Sequence, residues 1–116
     1  MRPVNPDVDR DVMVFVESNP LLCMLYHYGA LYVAEPGEEI PRGYAVIGIV
    51  AGKGVARVRF TVGDTVLAEY AGDMMGDEHV FMAFSTPFIG PVRVNTPKES
   101  KILVVDMRRV AQEWLK

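Results

Sequence analysis

The chain has 116 residues, of which 50% are hydrophobic and 23% are charged, with a formal net charge of −3 and one cysteine. The composition indicates one globular domain and excludes a disordered chain, and the single cysteine excludes an intrachain disulfide. The negative net charge argues against nucleic acid as a partner, because phosphate binding needs clustered positive charge. No apolar run is long enough to span a membrane and the opening residues lack the apolar core of a signal peptide, so we expect a cytoplasmic protein that makes no contact with membranes.

The first third of the chain contains three apolar runs separated by polar residues. Val12–Val16 is β-branched and aromatic, which predicts a strand. Leu21–Tyr28 and Gly29–Ala34 follow, and we interpret them as strand or loop. Glu35–Gly43 contains two prolines and two glycines, which predicts a connector rich in turns.

The middle of the chain alternates short apolar runs with glycine or aspartate turns. Val55–Val62 is the clearest strand, because apolar residues alternate with Arg57, Arg59 and Thr61. The other predicted strands are Tyr44–Val50, Thr65–Tyr70, Glu78–Phe84, Pro91–Thr96 and Lys101–Asp106. About eight strands at intervals of roughly ten residues predict an all-β fold, a small β-barrel, in a single domain over residues 1–116.

The last residues predict a helix over 107–116. Four apolar residues follow the helical repeat, namely Met107, Val110, Ala111 and Trp114. Asp106 precedes them and is a candidate N-cap. A helix this short is marginal alone, so we expect it to pack on the barrel or on a neighbouring subunit.

No group of residues has the spacing of a catalytic or metal-binding motif. His27 and His79 are far apart in sequence and belong to no CxxC or HxxxH pattern. Cys23 lies among apolar residues, which is typical of an inert buried thiol, and Ala51–Gly54 is interpreted as a hairpin turn because it lacks the phosphate-loop pattern. We therefore predict no enzymatic activity, no metal and no cofactor; the alternative, a small catalytic or ligand-binding barrel, would use Cys23, Glu78 and His79.

The apolar residues between positions 21 and 33 exceed what one barrel strand can bury. They form the runs Leu21–Tyr26 and Leu31–Val33, on either side of Gly29. Because a strand points alternate side chains to opposite faces, about half of them would face away from the core. Two interpretations stay open: a strand covered on both faces by a neighbouring subunit, and an apolar segment presented to another protein.

Seven segments occur in an order that matters more than any one of them. They are DRDVMV at 9–14, GALYV at 29–33, EPGEEIPRG at 35–43, YAVIGIVAGKG at 44–54, VGDTVLAEYAG at 62–72, GDEHVFM at 76–82 and SKILVVD at 100–106. Together, over residues 9–106, they resemble the GroES-type co-chaperonins, which are small oligomeric lids of chaperonin chambers. The chain departs from that pattern in four places: the roof hairpin is shortened within Ala51–Val62, residues 86–99 look like an insertion, and the helix at 107–116 lies beyond the family's usual end. The fourth is the loop Ser18–Tyr28, which is apolar where the family's loop is mostly polar and flexible. Such departures resemble divergent or phage-encoded lids.

The resemblance implies a homo-oligomeric ring, a heptamer, that caps a GroEL-type chaperonin and assists protein folding. In such a ring the N-terminal strand pairs with the C-terminal strand of the neighbour. The implied subunit-interface residues are Val12, Val14, Val16, Ile102 and Val104. The implied chaperonin-binding residues are Gly29, Leu31, Tyr32 and Val33, with Leu21, Leu22, Met24 and Leu25 as second-choice contacts.

The same apolar edges also fit a second class of protein. This is a structural β-barrel or jelly-roll assembly subunit without enzymatic activity, such as a viral coat or decoration protein. Residues 86–99 would then be assembly contacts. The two hypotheses differ in the assembly they predict: a closed soluble ring for the lid, and an open-ended or shell-bound array for the structural subunit.

Overall fold

The fold is a sandwich of two antiparallel sheets with helices on one outer face. The computed structural model describes residues 1–51, 54–74, 80–97 and 99–116. The β-rich fold predicted from the sequence is confirmed, but the closed barrel is wrong, because the described strands form two separate sheets of five and four strands. The helices add a third layer, so two cores lie one on each face of the five-stranded sheet.

The strands are β1 (Arg2–Pro3), β2 (Leu31–Ala34), β3 (Glu39–Ile40), β4 (Tyr44–Ala51), β5 (Gly54–Val62), β6 (Thr65–Met74), β7 (Val80–Ile89), β8 (Val92–Asn95) and β9 (Lys101–Asp106). The first sheet has the order β1-β2-β9-β4-β7, and the second has the order β3-β8-β5-β6. The predicted strands of the second half are therefore confirmed where they are described, while the first two residues of Glu78–Phe84 lie outside the described residues.

Two helices replace the strand predicted in the first third of the chain. They are α1 (Arg10–Ser18) and α2 (Pro20–His27). Between them, the side-chain oxygen of Asn19 accepts hydrogen bonds from the N–H groups of Leu21 at 3.0 Å and Leu22 at 3.2 Å, and a proline at the first helical position favours the start of α2. The strand prediction for Val12–Val16 is wrong, because its buried residues recur with the spacing of a helix rather than at every second position.

The first core lies between α1, α2 and the five-stranded sheet. Its buried residues come from the helices and from the helix-facing side of β2, β4 and β9; they include Val12, Val16, Leu22, Leu25, Leu31, Val33, Val50, Leu103 and Val105. The second core lies between the two sheets and is built on Val46, Ile49, Val58, Phe60, Val92, Val94, Ile102 and Val104. Residues 86–99 supply the end of β7 and the whole of β8, whose Val92 and Val94 are buried in the second core.

The C-terminal helix is confirmed as α3 (Met107–Trp114). The carboxylate of Asp106 accepts hydrogen bonds from the N–H groups of Arg108 at 3.1 Å and Arg109 at 3.3 Å, as an N-cap does. Within the described parts of the chain, no helix combines the length and the apolar character that crossing a membrane requires.

Candidate functional site

The segment expected to dock on a chaperonin is an internal strand of this fold. Leu31 and Val33 in β2 are 3% and 1% exposed, and α1 and α2 cover them. Tyr32 is half-buried and points to the opposite face of the sheet, where its ring meets Tyr44 edge-on at 5.8 Å. Leu31 and Val33 are therefore not presented to a partner in this fold, because α1 and α2 of their own chain cover them. Tyr32 keeps part of its surface exposed, and its docking role stays a prediction.

The second-choice contacts lie on α2, where they divide between the two sides of the helix. Leu22 and Leu25 are buried at 1% and 5% exposure and belong to the first core. Met24 is half-buried against the same core, whereas Leu21 is 56% exposed. Gly29 follows the end of the helix with a φ of +71°, which is the usual glycine signal for leaving a helix.

The strand exchange expected between neighbouring subunits is also wrong. Val12 and Val16 lie on α1 and are buried against their own sheet, and Val14 on the same helix is 61% exposed. Ile102 and Val104 are fully buried in β9. This strand pairs with β2 on one side and with β4 on the other, so neither edge is open to a strand from another subunit.

A buried carboxylate ties the N-terminal segment to β9. Asp9 is 0% exposed and accepts two hydrogen bonds from the guanidinium of Arg2, one of them at 2.6 Å, and one from Nζ of Lys101 at 3.1 Å. The N–H of Asn5 donates to it at 2.8 Å. Burial alone would raise the pKa of Asp9, but these donors outweigh it and hold the pKa well below its usual range.

The same ion network fixes the charge of its lysine. Burial lowers the pKa of Lys101. Its hydrogen bonds to the carboxylates of Asp11, at 2.8 Å, and of Asp9 raise the pKa by more than burial lowers it, so the net shift is upward. Charges that are matched in this way stabilise the fold and offer no group for proton transfer near neutral pH.

Of the three residues of the catalytic alternative, the structure describes only Cys23. Cys23 is a half-buried free thiol on α2, and His27 lies exposed at the end of that helix. Glu78 and His79 lie outside the described residues. Among the residues that the structure does describe, no three His, Cys, Asp or Glu side chains are placed to hold a metal ion.

The β5–β6 hairpin leaves a strand edge open. β6 is the last strand of its sheet, and no described strand pairs with its other side. Every residue from Val62 to Leu67 is exposed, with Val66 at 49% and Leu67 at 54%. The register shifts by one residue between Phe60 and Thr61, so Leu67 is skipped in the pairing. The sequence signal for this exposed pair is the break in the alternation of apolar and polar residues, because Val66 and Leu67 are adjacent.

The outer face of this hairpin carries charges of both signs. Glu69 lies 3.4 Å from Arg59 and 3.9 Å from Arg57, all three on exposed side chains. On the inner face, the Tyr70 ring stacks on Phe84 at 5.6 Å and meets Phe60 edge-on at 6.0 Å. The edge thus has an aromatic side and a charged side.

The second uncovered surface is the apolar side of α3. Val110 is 8% exposed and packs on the first core. In contrast, Met107 is 43%, Trp114 is 68% and Leu115 is 85% exposed. The sequence correctly predicted the apolar stripe, but the chain's own sheet covers one member of it.

No protein-family model, curated protein or solved structure matches this chain.

Proposed function

We propose that this protein is a structural subunit without enzymatic activity, and that it works by assembling with copies of itself. The observation that carries the proposal is the edge of β6 that no described strand pairs, where Val66 and Leu67 are 49% and 54% exposed. Exposed strand edges with apolar side chains pair with another strand when nothing blocks them, and monomeric proteins usually block them with charges, prolines, bulges or covering segments. The bulge of β6 lies at Leu67, beside the regular part of the strand that contains Tyr70.

A second copy fits this edge because the charges beside it are self-complementary. In an antiparallel pairing with Tyr70 opposite Tyr70 of the other copy, Glu69 faces residue 71 of that copy. Residue 71 is in turn paired with Arg57 of its own β5. Each Glu69 therefore lies two strand spacings, about 10 Å between backbones, from Arg57 of the other copy. An extended arginine side chain spans much of that distance, so the pairing adds attractive charges in both directions.

The pairing also suits the inner face of the sheet. Tyr70 already stacks on Phe84, and a second Tyr70 directly across the new strand pair would extend this aromatic group. Aromatic cross-strand pairs stabilise sheets by roughly 0.2–1 kcal/mol each. Main-chain hydrogen bonds along the edge would supply the larger part of the affinity, as in other cases of strand addition.

The co-chaperonin hypothesis stays a prediction. The segment that it assigned to docking, Leu31–Val33, is buried in β2, so a lid of this fold would need another contact surface. Mixing the protein with a chaperonin and nucleotide, and measuring whether the two comigrate, tests that hypothesis separately.

The native mass of the purified protein tests the proposal. We expect a concentration-dependent mass above the 12.9 kDa of one chain in sedimentation equilibrium. The double substitution Val66→Lys with Leu67→Lys puts two charges on the edge and should lower that mass. Val8→Lys is the matched control, because Val8 is 62% exposed and lies away from the hairpin, in the turn before α1. A wild-type protein that stays monomeric at every concentration, or a double variant with unchanged mass, would contradict the proposal.

A further inference from the structure

A pocket lies on the outer face of the second sheet, where β8 ends beside β5. Asn95, the last residue of β8, pairs with Arg59, and residues 96 and 97 continue past the end of the strand. The pocket has a volume of about 320 Å³, which is within the range of small-molecule sites. Its lining residues are Arg57, Arg59, Asn95, Thr96 and Pro97. The two charged side chains at this pocket are therefore both basic.

The two guanidinium groups already converge on one anionic oxygen. Glu69 Oε1 lies 3.4 Å from Nη2 of Arg59 and 3.9 Å from Nε of Arg57. Two positive charges thus share one negative charge, and ion pairs between exposed side chains such as these are weak. Arg59 uses only Nη2 for this contact, and Arg57 forms no hydrogen bond with any residue that the structure describes. Most of their N–H donors therefore remain available to a second anion on the β8 side.

Two uncharged donors on the β8 side of the pocket are poorly satisfied. Nδ2 of Asn95 donates to Thr61 Oγ1 at 3.5 Å, which is long for a hydrogen bond. The hydroxyl oxygen of Thr96 is buried and has no hydrogen-bond partner within the described parts of the chain. Buried polar groups are nearly always paired, so this hydroxyl calls for an acceptor. An oxyanion in the pocket would supply acceptors for the guanidinium groups, the amide and the hydroxyl together.

We propose that this pocket binds the phosphate group of a small molecule. A phosphate presents three strong acceptor oxygens to donors that come from two strands, and its charge matches the two guanidinium groups. The aliphatic stems of the arginines and the ring of Pro97 give the organic part of such a ligand an apolar wall. Because the whole chain has a net charge of −3, this local positive charge favours a small anion over a long polyanion. The inference does not use the β6 edge and holds whether or not the protein assembles.

Titration of the isotope-labelled full chain with methyl phosphate, followed by two-dimensional NMR at constant ionic strength, tests the site. Two charge-assisted hydrogen bonds correspond to a Kd on the order of 1 mM. We therefore expect saturable shifts, largest for the backbone amides of Arg57, Arg59, Asn95 and Thr96. Acetate, the carboxylate comparator, should bind at least tenfold more weakly. Shifts that do not saturate or that centre elsewhere, or equal binding of the two anions, would overturn the proposal.

Arginine variants separate this site from general attraction to positive charge. The double substitution Arg57→Gln with Arg59→Gln should raise the Kd for methyl phosphate at least tenfold while circular dichroism stays unchanged. Arg93→Gln is the matched control, because Arg93 is also exposed and lies 3.6 Å from a carboxylate, that of Glu39, but does not line the pocket. It should change the Kd by less than twofold. Equal losses in the two variants would overturn the proposal.

The hydroxyl of Thr96 gives a test that charge alone cannot pass. Thr96→Val keeps the shape of the side chain and removes only the unpartnered hydroxyl. The ligand-free variant should therefore keep at least the wild-type Tm. Its Kd for methyl phosphate should rise at least threefold, because the ligand loses a donor. An unchanged Kd would contradict the assignment of this pocket.

Discussion

Replacing Asp9 with asparagine should destabilise the protein far more than its position near the N-terminus suggests. The substitution keeps the size of the side chain but removes the charge that pairs with Arg2 and Lys101. Removing one partner of a buried ion pair costs about 3–5 kcal/mol. Because the side chains of Arg2 and Lys101 are 38% and 21% exposed and can regain water, we expect the lower end, about 3 kcal/mol. For a chain of this length, that corresponds to a fall of roughly 12 °C in Tm.

The pH dependence gives this prediction a second measurement. The pKa of Asp9 is lower in the folded protein than in the unfolded chain, where it is about 3.9. Its contribution to stability is therefore complete above that pH and is lost as the pH falls toward the folded-state pKa. The difference in the free energy of unfolding between the wild type and Asp9→Asn should be smaller at pH 3 than at pH 7 by about 1 kcal/mol.

Urea unfolding at both pH values measures the effect, with Asp7→Asn as the control, since Asp7 is exposed two residues away. A loss below about 1 kcal/mol at pH 7 would refute the reasoning, because a surface ion pair contributes no more than that. A difference that does not change between the two pH values would show that the ionisation of Asp9 is not the cause.

Two further substitutions test the packing of α2 and its exit. Leu22→Ala should lower the free energy of unfolding in urea by about 2–5 kcal/mol, because Leu22 is 1% exposed in the first core. The neighbouring Leu21→Ala should change it by no more than about 0.5 kcal/mol. Similar losses for the two variants would mean that α2 is placed wrongly. Gly29→Ala should lower the free energy of unfolding by about 1–2 kcal/mol. The cause would be backbone strain at φ +71° and not a clash, because the nearest atom to an added Cβ is Arg109 Nε at 4.0 Å. An unchanged stability would argue against this end of α2.

The strands of the second half were predictable because each one carries a local signal. In β5, Val58 and Phe60 are buried while Arg57 and Arg59 are exposed, as the alternation of apolar and polar residues predicts. α3 was predictable for the same reason, since its apolar residues and its N-cap at Asp106 lie within one short window.

The two N-terminal helices were missed because local β propensity was given more weight than spacing. The run from Val12 to Val16 is β-branched and aromatic, but its two ends are four residues apart and face the same side of α1. The sequence did contain start and stop signals for α2, namely Asn19 with Pro20 and, at its end, Gly29.

The errors in the candidate site follow from the missed helices. An apolar strand such as Leu31–Val33 looks unpartnered when the residues before it are also taken as strands. Once α1 and α2 cover it, Leu31 and Val33 need no other molecule. No local pattern distinguishes these two cases, because the cover comes from residues 6 to 21 positions earlier in the chain.

β9 contributes side chains to both cores, and this couples the helical layer to the second sheet. Leu103 and Val105 on it serve the helical side, while Ile102 and Val104 serve the space between the sheets. Unfolding of either core removes packing contacts from β9 and so weakens the other core. A probe on α2 and a probe on β8 should therefore report the same melting curve. A destabilising substitution at any of these four positions should therefore loosen the packing of the helices and of the second sheet together.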